Sequence, residues 1–181
     1  MELREIVTND KEEKKKLDII IYSDGSCLQN PGPGGYGTII QFLDENEEVK
    51  NTKMLSQGNP HTTNNEMELS GVIAGLQNLP EEDLCVKIIT DSRYVVSGFE
   101  KCWVDKWKKS GWKRTVYNPM TSTWHYAPVK NEFLWKELDK LVSKYNVTFE
   151  WIKGHAGHIY NEECDRMARD TAKYYKEKFN K

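Results

Sequence analysis

Residues 19–35 read IIIYSDGSCLQNPGPGG, and the fold turns on what this stretch does. Ile19, Ile20 and Ile21 are β-branched and apolar, so Leu17 to Ser23 is read as a buried strand. Asp24 stands where that strand ends, and a Gly/Pro-rich segment follows. A glycine-rich loop after a strand often cradles phosphate with backbone N–H groups, but such loops open into a helix. Here the chain goes on into GYGTIIQFLD (35–44), which reads as another strand. The loop is therefore read as a tight turn at Gly25, Ser26 and Cys27, with Asp24 presented at a strand end.

Working outward, EVKNTKMLSQG (48–58) reads as a third strand beyond the acidic turn DENEE, giving an antiparallel meander. HTTNNEMELSGVIAGLQNLP (61–80) reads as a helix with Thr/Asn capping candidates and a proline stop. LCVKIIT (84–90) is a fourth strand. Residues 92–111 read as helical, with a break near Gly98. Residues 112–130 show no clear period and read as a long loop. NEFLWKELDKLVSKYN (131–146) is an amphipathic helix with Phe133, Leu134, Leu138, Leu141 and Val142 on its apolar side. VTFEWIKG (147–154) is a fifth strand, and residues 161–179 a final helix. The order implies an α/β fold, a mixed sheet with helices packed on it.

The chain has 181 residues, 38% apolar and 30% charged, which fits one globular domain over 17–181 after a polar tail at 1–16. The net charge of −2 gives no global attraction to polyanions, but Lys101 to Arg114 carries six cations against Asp105 alone. By charge alone that block fits a solvated helix face. Cys27, Cys85, Cys102 and Cys164 form no C-x-x-C pair, so free thiols in a reducing compartment are expected. The N-terminus MELREIVTNDKEEKKK has no apolar core and five acids, unlike a signal or transit peptide. No run reaches membrane-span length. The expected location is the cytoplasm, or the nucleus in a eukaryote.

Four acids sit where an acid is costly. Asp24 and Asp91 close apolar strands. Glu68 shares a helix side with Val72, Gly75, Leu76 and Leu79, and Asp165 shares one with Ala168, Ala172 and Tyr175. Any one alone fits a cap or an ion-pair partner better than a site. Four together need a reason, since buried carboxylates are unstable unless paired. If they converge, repulsion raises the pKa of at least one, and a divalent cation relieves it. All-oxygen ligands suit Mg²⁺ or Mn²⁺. A zinc set from His155, His158, Cys164 and Asp165 has poor spacing, because adjacent helix residues point apart. His155, in the glycine-flanked KGHAGH, suits proton movement, against the simpler reading of a surface histidine.

Trp103, Trp107 and Trp112 interleave with Lys106, Lys108, Lys109 and Lys113. Indoles beside a lysine row can pack on sugars or bases while the lysines meet phosphates. They can equally anchor a helix to the core, and part of each is expected.

On these residues the chain resembles the type 1 ribonucleases H. The matching stretches are DGSCLQNPGPGGYG (24–37), TTNNEMEL (62–69), TDSRYV (90–95), WKKSGWK (107–113), PVKN (128–131) and WIKGHAGHIYNEECDRMA (151–168). The resemblance implies a five-stranded mixed sheet, an antiparallel meander plus two parallel strands, flanked by helices. It implies an endonuclease that hydrolyses the RNA strand of RNA–DNA hybrids without sequence preference. Asp24, Glu68, Asp91 and Asp165 would hold two Mg²⁺ ions, with Mn²⁺ as a substitute, and His155 would assist catalysis. Glu66 is not the acid of the site. Substrate contacts are expected at Gly25, Ser26, Cys27, Asn30, Thr63, Asn64 and Arg93, and along the handle at Trp103, Trp107, Lys106, Lys108, Lys109 and Lys113. The chain is expected to act as a monomer, without a membrane. It departs from the family in fourteen residues, Arg114 to Ala127, between GWK and PVKN, and in an acid at position 66. Two alternatives stay open: a non-catalytic hybrid- or duplex-binding module, and a DNA nuclease on the same fold.

Overall fold

A computed structural model of the chain describes residues 16–80 and 83–179. The polar tail expected at 1–16 lies outside the described residues except for Lys16. Five strands form the main sheet: β1 (Ile19–Cys27), β2 (Gly32–Leu43), β3 (Val49–Thr62), β4 (Cys85–Thr90) and β7 (Asn146–Trp151). Their order is β3-β2-β1-β4-β7. β1, β2 and β3 pair antiparallel, while β1, β4 and β7 run parallel. The helices are α1 (Asn64–Gln77), α2 (Arg93–Glu100), α3 (Trp103–Lys109), α4 (Glu132–Val142) and α5 (Ile159–Phe179). The mixed sheet with flanking helices is the expected architecture.

Alternation along β1 assigns the two faces. Odd positions Ile21 and Ser23 meet Gly75 and Gly71 of α1. Even position Tyr22 packs against Tyr160 of α5, with ring centroids 4.9 Å apart and the rings tilted by 36°. Thus α1 covers one face and α5 the other. Ile19, Ile21, Ile40, Leu69, Val72, Leu76, Val86 and Ile88 fill the core on the α1 side, together with Trp135 and Leu138 of α4. α1 starts where its sequence says it should. The Thr63 hydroxyl accepts from Glu66 N at 3.3 Å, and the Glu66 carboxylate accepts from Thr63 N at 2.8 Å. This capping box gives Glu66 its place, and Thr62 Oγ1 donates to the same carboxylate at 2.7 Å.

The structure corrects four local expectations. β1 does not stop at Asp24: Gly25, Ser26 and Cys27 stay paired with Tyr36, Gly35 and Gly34, and the turn comes later, between Leu28 and Pro31. The stretch read as a loop holds a hairpin, β5 (Lys113–Asn118) with β6 (Thr123–Pro128). Its Thr, Val, Tyr and Trp residues favour strands and flank Asn118-Pro119, a signal hidden because the exposed face carries the rings and the half-buried face carries Arg114 and Asn118. The helical break falls at Cys102, which takes a left-handed φ of 53°, not at Gly98. Gly98 lies inside α2, pressed against the Trp135 ring. In α4, Leu134, Leu138, Leu141 and Val142 face the core as expected, but Phe133 is 79% exposed and Trp135 is fully buried in its place.

Candidate active site

Asp24 lies on β1 just past the last β1–β4 pair, Tyr22 with Ile89. It is 8% exposed. β4 ends at Thr90, so Asp91 follows at the neighbouring strand end. The crevice outside the carboxyl ends of parallel strands is where open α/β sheets gather functional groups.

Two glycines let the helices bring in the other acids. A Cβ on Gly25 would sit 2.7 Å from the Met67 carbonyl carbon and 2.9 Å from Glu68 Cα. The α1 backbone therefore crosses β1 directly, setting Glu68 beside Asp24. On the other face a Cβ on Gly37 would sit 2.7 Å from Met167 Cβ and closer still to the Cys164 carbonyl. That contact seats α5 and sets Asp165 next to the same carboxylate.

The electrostatics record the gathering. Burial, and then the charges of Asp91, Asp165 and Glu68, push the Asp24 carboxyl up to about 8, although the Gly25 N–H donates to it at 2.7 Å and favours the anion. Burial also raises Glu68, which two donors hold in place: Ser92 Oγ at 2.5 Å on one oxygen and Asn64 Nδ2 at 2.9 Å on the other. Asp165 accepts from Arg169 at 2.8 Å, and His155 Nδ1 stands 4.0 Å from it. No cation is paired with Asp24, Glu68 or Asp91 among the described residues. Nor, among those residues, do three His, Cys, Asp or Glu side chains close into a ready ligand cage. Cys164 is fully buried while His155 and His158 are exposed, so the zinc set does not assemble.

The expected substrate contacts fall into two groups. Asn30 Oδ1 accepts from Asn64 N at 3.1 Å, and the Cys27 thiol donates to the Thr62 carbonyl at 3.3 Å, so Cys27, Asn30, Thr63 and Asn64 meet at the start of α1. The second group is the handle. Trp103 and Trp107 lie 6.0 Å apart by ring centroid on α3. Trp107 also packs edge-on against Trp135 at 5.4 Å, so it serves as an anchor. Lys108 ion-pairs with Asp139 of α4 at 2.9 Å, whereas Lys106, Lys109 and Lys113 are exposed without a carboxylate partner among the described residues. Arg93 stacks 3.3 Å over the Trp151 ring. Sequence reasoning missed Ser92 and Arg169. Ser92 follows Asp91 as a capping-type residue, and Arg169 stands four positions after Asp165 on its helix, and those two local patterns are the signals that point to them.

Fold and site together define a class: mixed α/β sheets with an acidic crevice at the carboxyl ends of the parallel strands. The RNase H family model matches residues 16–173. A ribonuclease H of Pseudoalteromonas atlantica is 47% identical over 155 residues, 85% of this chain and 90% of that protein. LC9-RNase H1, a type 1 RNase H with the type 2 active-site motif, is 30% identical with a TM-score of 0.72, over 88% of this chain and 74% of that one. LC11-RNase H1, solved with an RNA/DNA hybrid, shares the fold at 21% identity and a TM-score of 0.54, over 86% and 97% of the two chains. The chain belongs to the RNase H family of nucleases. No helix among its described residues is long and apolar enough to cross a membrane.

Proposed function

We propose that residues 17–181 form a catalytic domain that hydrolyses the RNA strand of RNA–DNA hybrids, as a monomer, leaving 5′-phosphate and 3′-hydroxyl ends. The observation that carries this is the buried Asp24 carboxyl, held near pKa 8 among Asp91, Asp165 and Glu68 with no cation partner among the described residues. Such a group is a poor structural element and a good divalent-ion ligand. The donor set is all oxygen, which fits Mg²⁺ or Mn²⁺, with Asp24, Glu68, Asp91 and Asp165 as the holders. Bound there, a pair of such ions supplies Lewis acidity for activating water and for easing departure of the 3′-oxygen.

The chain's own residues do the rest. Asn64 and Ser92 fix both oxygens of Glu68, which holds the acid in one orientation. His155, exposed on a left-handed loop position beside Asp165, moves protons at the rim or eases product release. On the side away from β2, β1 past Tyr22 has no strand partner among the described residues, so backbone groups near Gly25 to Cys27 are open on that edge. With Asn30 they suit reading 2′-hydroxyls in the minor groove. Thr63 and Asn64 take the DNA-strand phosphate, and Arg93, Trp103, Trp107, Lys106, Lys108, Lys109 and Lys113 line the duplex path. Backbone contacts carry no base code, so cutting is independent of sequence.

The test is one assay on a labelled RNA–DNA hybrid, single-stranded RNA, double-stranded RNA and duplex DNA, each with Mg²⁺, Mn²⁺ or EDTA. Cleavage confined to the hybrid's RNA strand and abolished by EDTA is expected. Hybrid binding without cleavage, or cutting of duplex DNA, refutes the reading.

A further inference from the structure

The β5–β6 hairpin has no part in the carboxylate site. Its register sets Tyr117 opposite Trp124 and Thr115 opposite Tyr126. Cross-strand partners share a face, so Tyr117, Trp124 and Tyr126 stand together, with Lys113 at the base. The Tyr117 and Trp124 rings are 5.1 Å apart. Trp124 is 69% exposed and Tyr126 74%. Arg114, Val116 and Ala127, half-buried, occupy the other face, so the aromatic face is the one turned to solvent. A row of three exposed rings on a two-stranded sheet packs no core, and clustered exposed apolar groups mark contact sites.

The charge around this row indicates what it contacts. Residues 106–131 hold Lys106, Lys108, Lys109, Lys113, Arg114 and Lys130 and no acid. Of these only Lys108 has a carboxylate partner among the described residues. The hairpin is rooted in the basic helix: Ser110 Oγ donates to the Lys113 carbonyl at 2.6 Å, and Trp112 N to the Trp107 carbonyl at 2.6 Å. β5 thus starts four residues past the last lysine of α3, with Lys113 on the ring-bearing face. Inside a duplex each base is covered by its neighbours. An exposed row of rings beside unpaired cations fits bases with open faces and a phosphate backbone.

We propose that the Tyr117–Trp124–Tyr126 face is a stacking platform for unpaired nucleotides adjoining the duplex, a single-stranded extension of the substrate. This rests on the hybrid-cleavage reading above. The platform is a site for nucleic acid, not for protein, because an acid-free stretch with five cations lacking a carboxylate partner among the described residues complements a polyanion.

The test compares a blunt labelled RNA–DNA hybrid with the same hybrid carrying a single-stranded DNA extension, by fluorescence anisotropy in EDTA. The extension tightens wild-type binding about tenfold, as stacking of a base or two on aromatic rings would. The double variant Trp124→Ala/Tyr126→Ala loses that gain and keeps its affinity for the blunt hybrid. Trp124→Phe, which keeps a ring, retains most of the gain and controls for misfolding. No gain in the wild type, an undiminished gain in the double variant, or an equal loss on both substrates overturns the proposal. So does a concentration-dependent dimer that the double variant dissolves, since that makes the face a protein contact. Cleavage of the blunt hybrid with Mg²⁺ is measured alongside. If the wild type does not cut it, the functional reading fails; if it cuts normally but shows no extension gain, only the platform fails.

Discussion

Asp24 and Gly37 are direct cross-strand partners in the β1–β2 pair. They share a face, and because Gly37 has no side chain, the α5 backbone at Cys164 rests on the strand there. The proposed central carboxylate and the seat of the helix carrying Asp165 are thus one pairing.

Gly37→Ala places a methyl 2.7 Å from Met167 Cβ and against backbone, which cannot yield as a flexible side chain would. The expected cost is about 1–3 kcal/mol of stability. Displacing Asp165 lowers kcat by at least about tenfold, given that a misplacement of roughly 1 Å can cost about 100-fold. Urea unfolding and steady-state kinetics on the hybrid check both. A destabilised variant with full kcat would show that α5 does not set the site.

Asp24→Asn abolishes cleavage and also changes stability in a pH-dependent way. The folded-state pKa is raised from 3.8 to about 8, so between those values the metal-free folded chain binds more protons than the unfolded chain. Its stability therefore falls as pH rises through that window. Asn carries no charge, so the metal-free variant is more stable than wild type above about pH 8, by several kcal/mol, at about 1.4 kcal/mol for each tenfold difference in proton affinity between the folded and unfolded chains. Below about pH 4 the difference disappears, since the aspartate is then protonated in the unfolded chain as well as in the folded one. Thermal melts in EDTA across pH test this, and a variant no more stable than wild type at high pH would refute the buried-charge account.

Ser92→Ala removes the hydroxyl that favours ionised Glu68, leaving burial and Asp91 to raise the acid further. The acidic limb of the pH–rate profile moves to higher pH, and activity recovers as pH rises. Ser92 also caps α2 by accepting from Val95 N, so about 0.5–2 kcal/mol of stability goes with it. An unmoved limb would remove Glu68 from the ionisations that matter.

Replacing Lys106, Lys109 and Lys113 with Gln weakens hybrid binding uniformly. It flattens the slope of log affinity against log salt by about two to three, at roughly 0.7–0.9 for each phosphate no longer neutralised. Adding Lys108→Gln changes the slope less, because Asp139 already occupies that ammonium. Titrations at several salt concentrations measure it, and an unchanged slope would mean that the handle holds no phosphate.

What the sequence determined by itself was local. The β-branched run at Ile19 to Ile21, the Thr63 cap and the sides of the helices bearing Glu68 and Asp165 follow from patterns within a few residues. So does the oddity of four acids on core-facing or strand-end positions, which marks the site from the amino-acid order alone. Tertiary structure decided what depends on where separate elements meet. Strand β1 outruns β4 because its antiparallel partner β2 continues after the parallel one has stopped, and residues 24–27 alone carry no sign of this. Trp135 displaces Phe133 from the core because Gly98 on another helix leaves room for an indole. Asp139 claims Lys108 across two helices. The hairpin escaped notice because its rings sit on the exposed face while Arg114 and Asn118 share the half-buried one, so polarity does not alternate with burial. Periodicity records which side of an element is covered; only packing fixes what covers it, and so which carboxylates become neighbours.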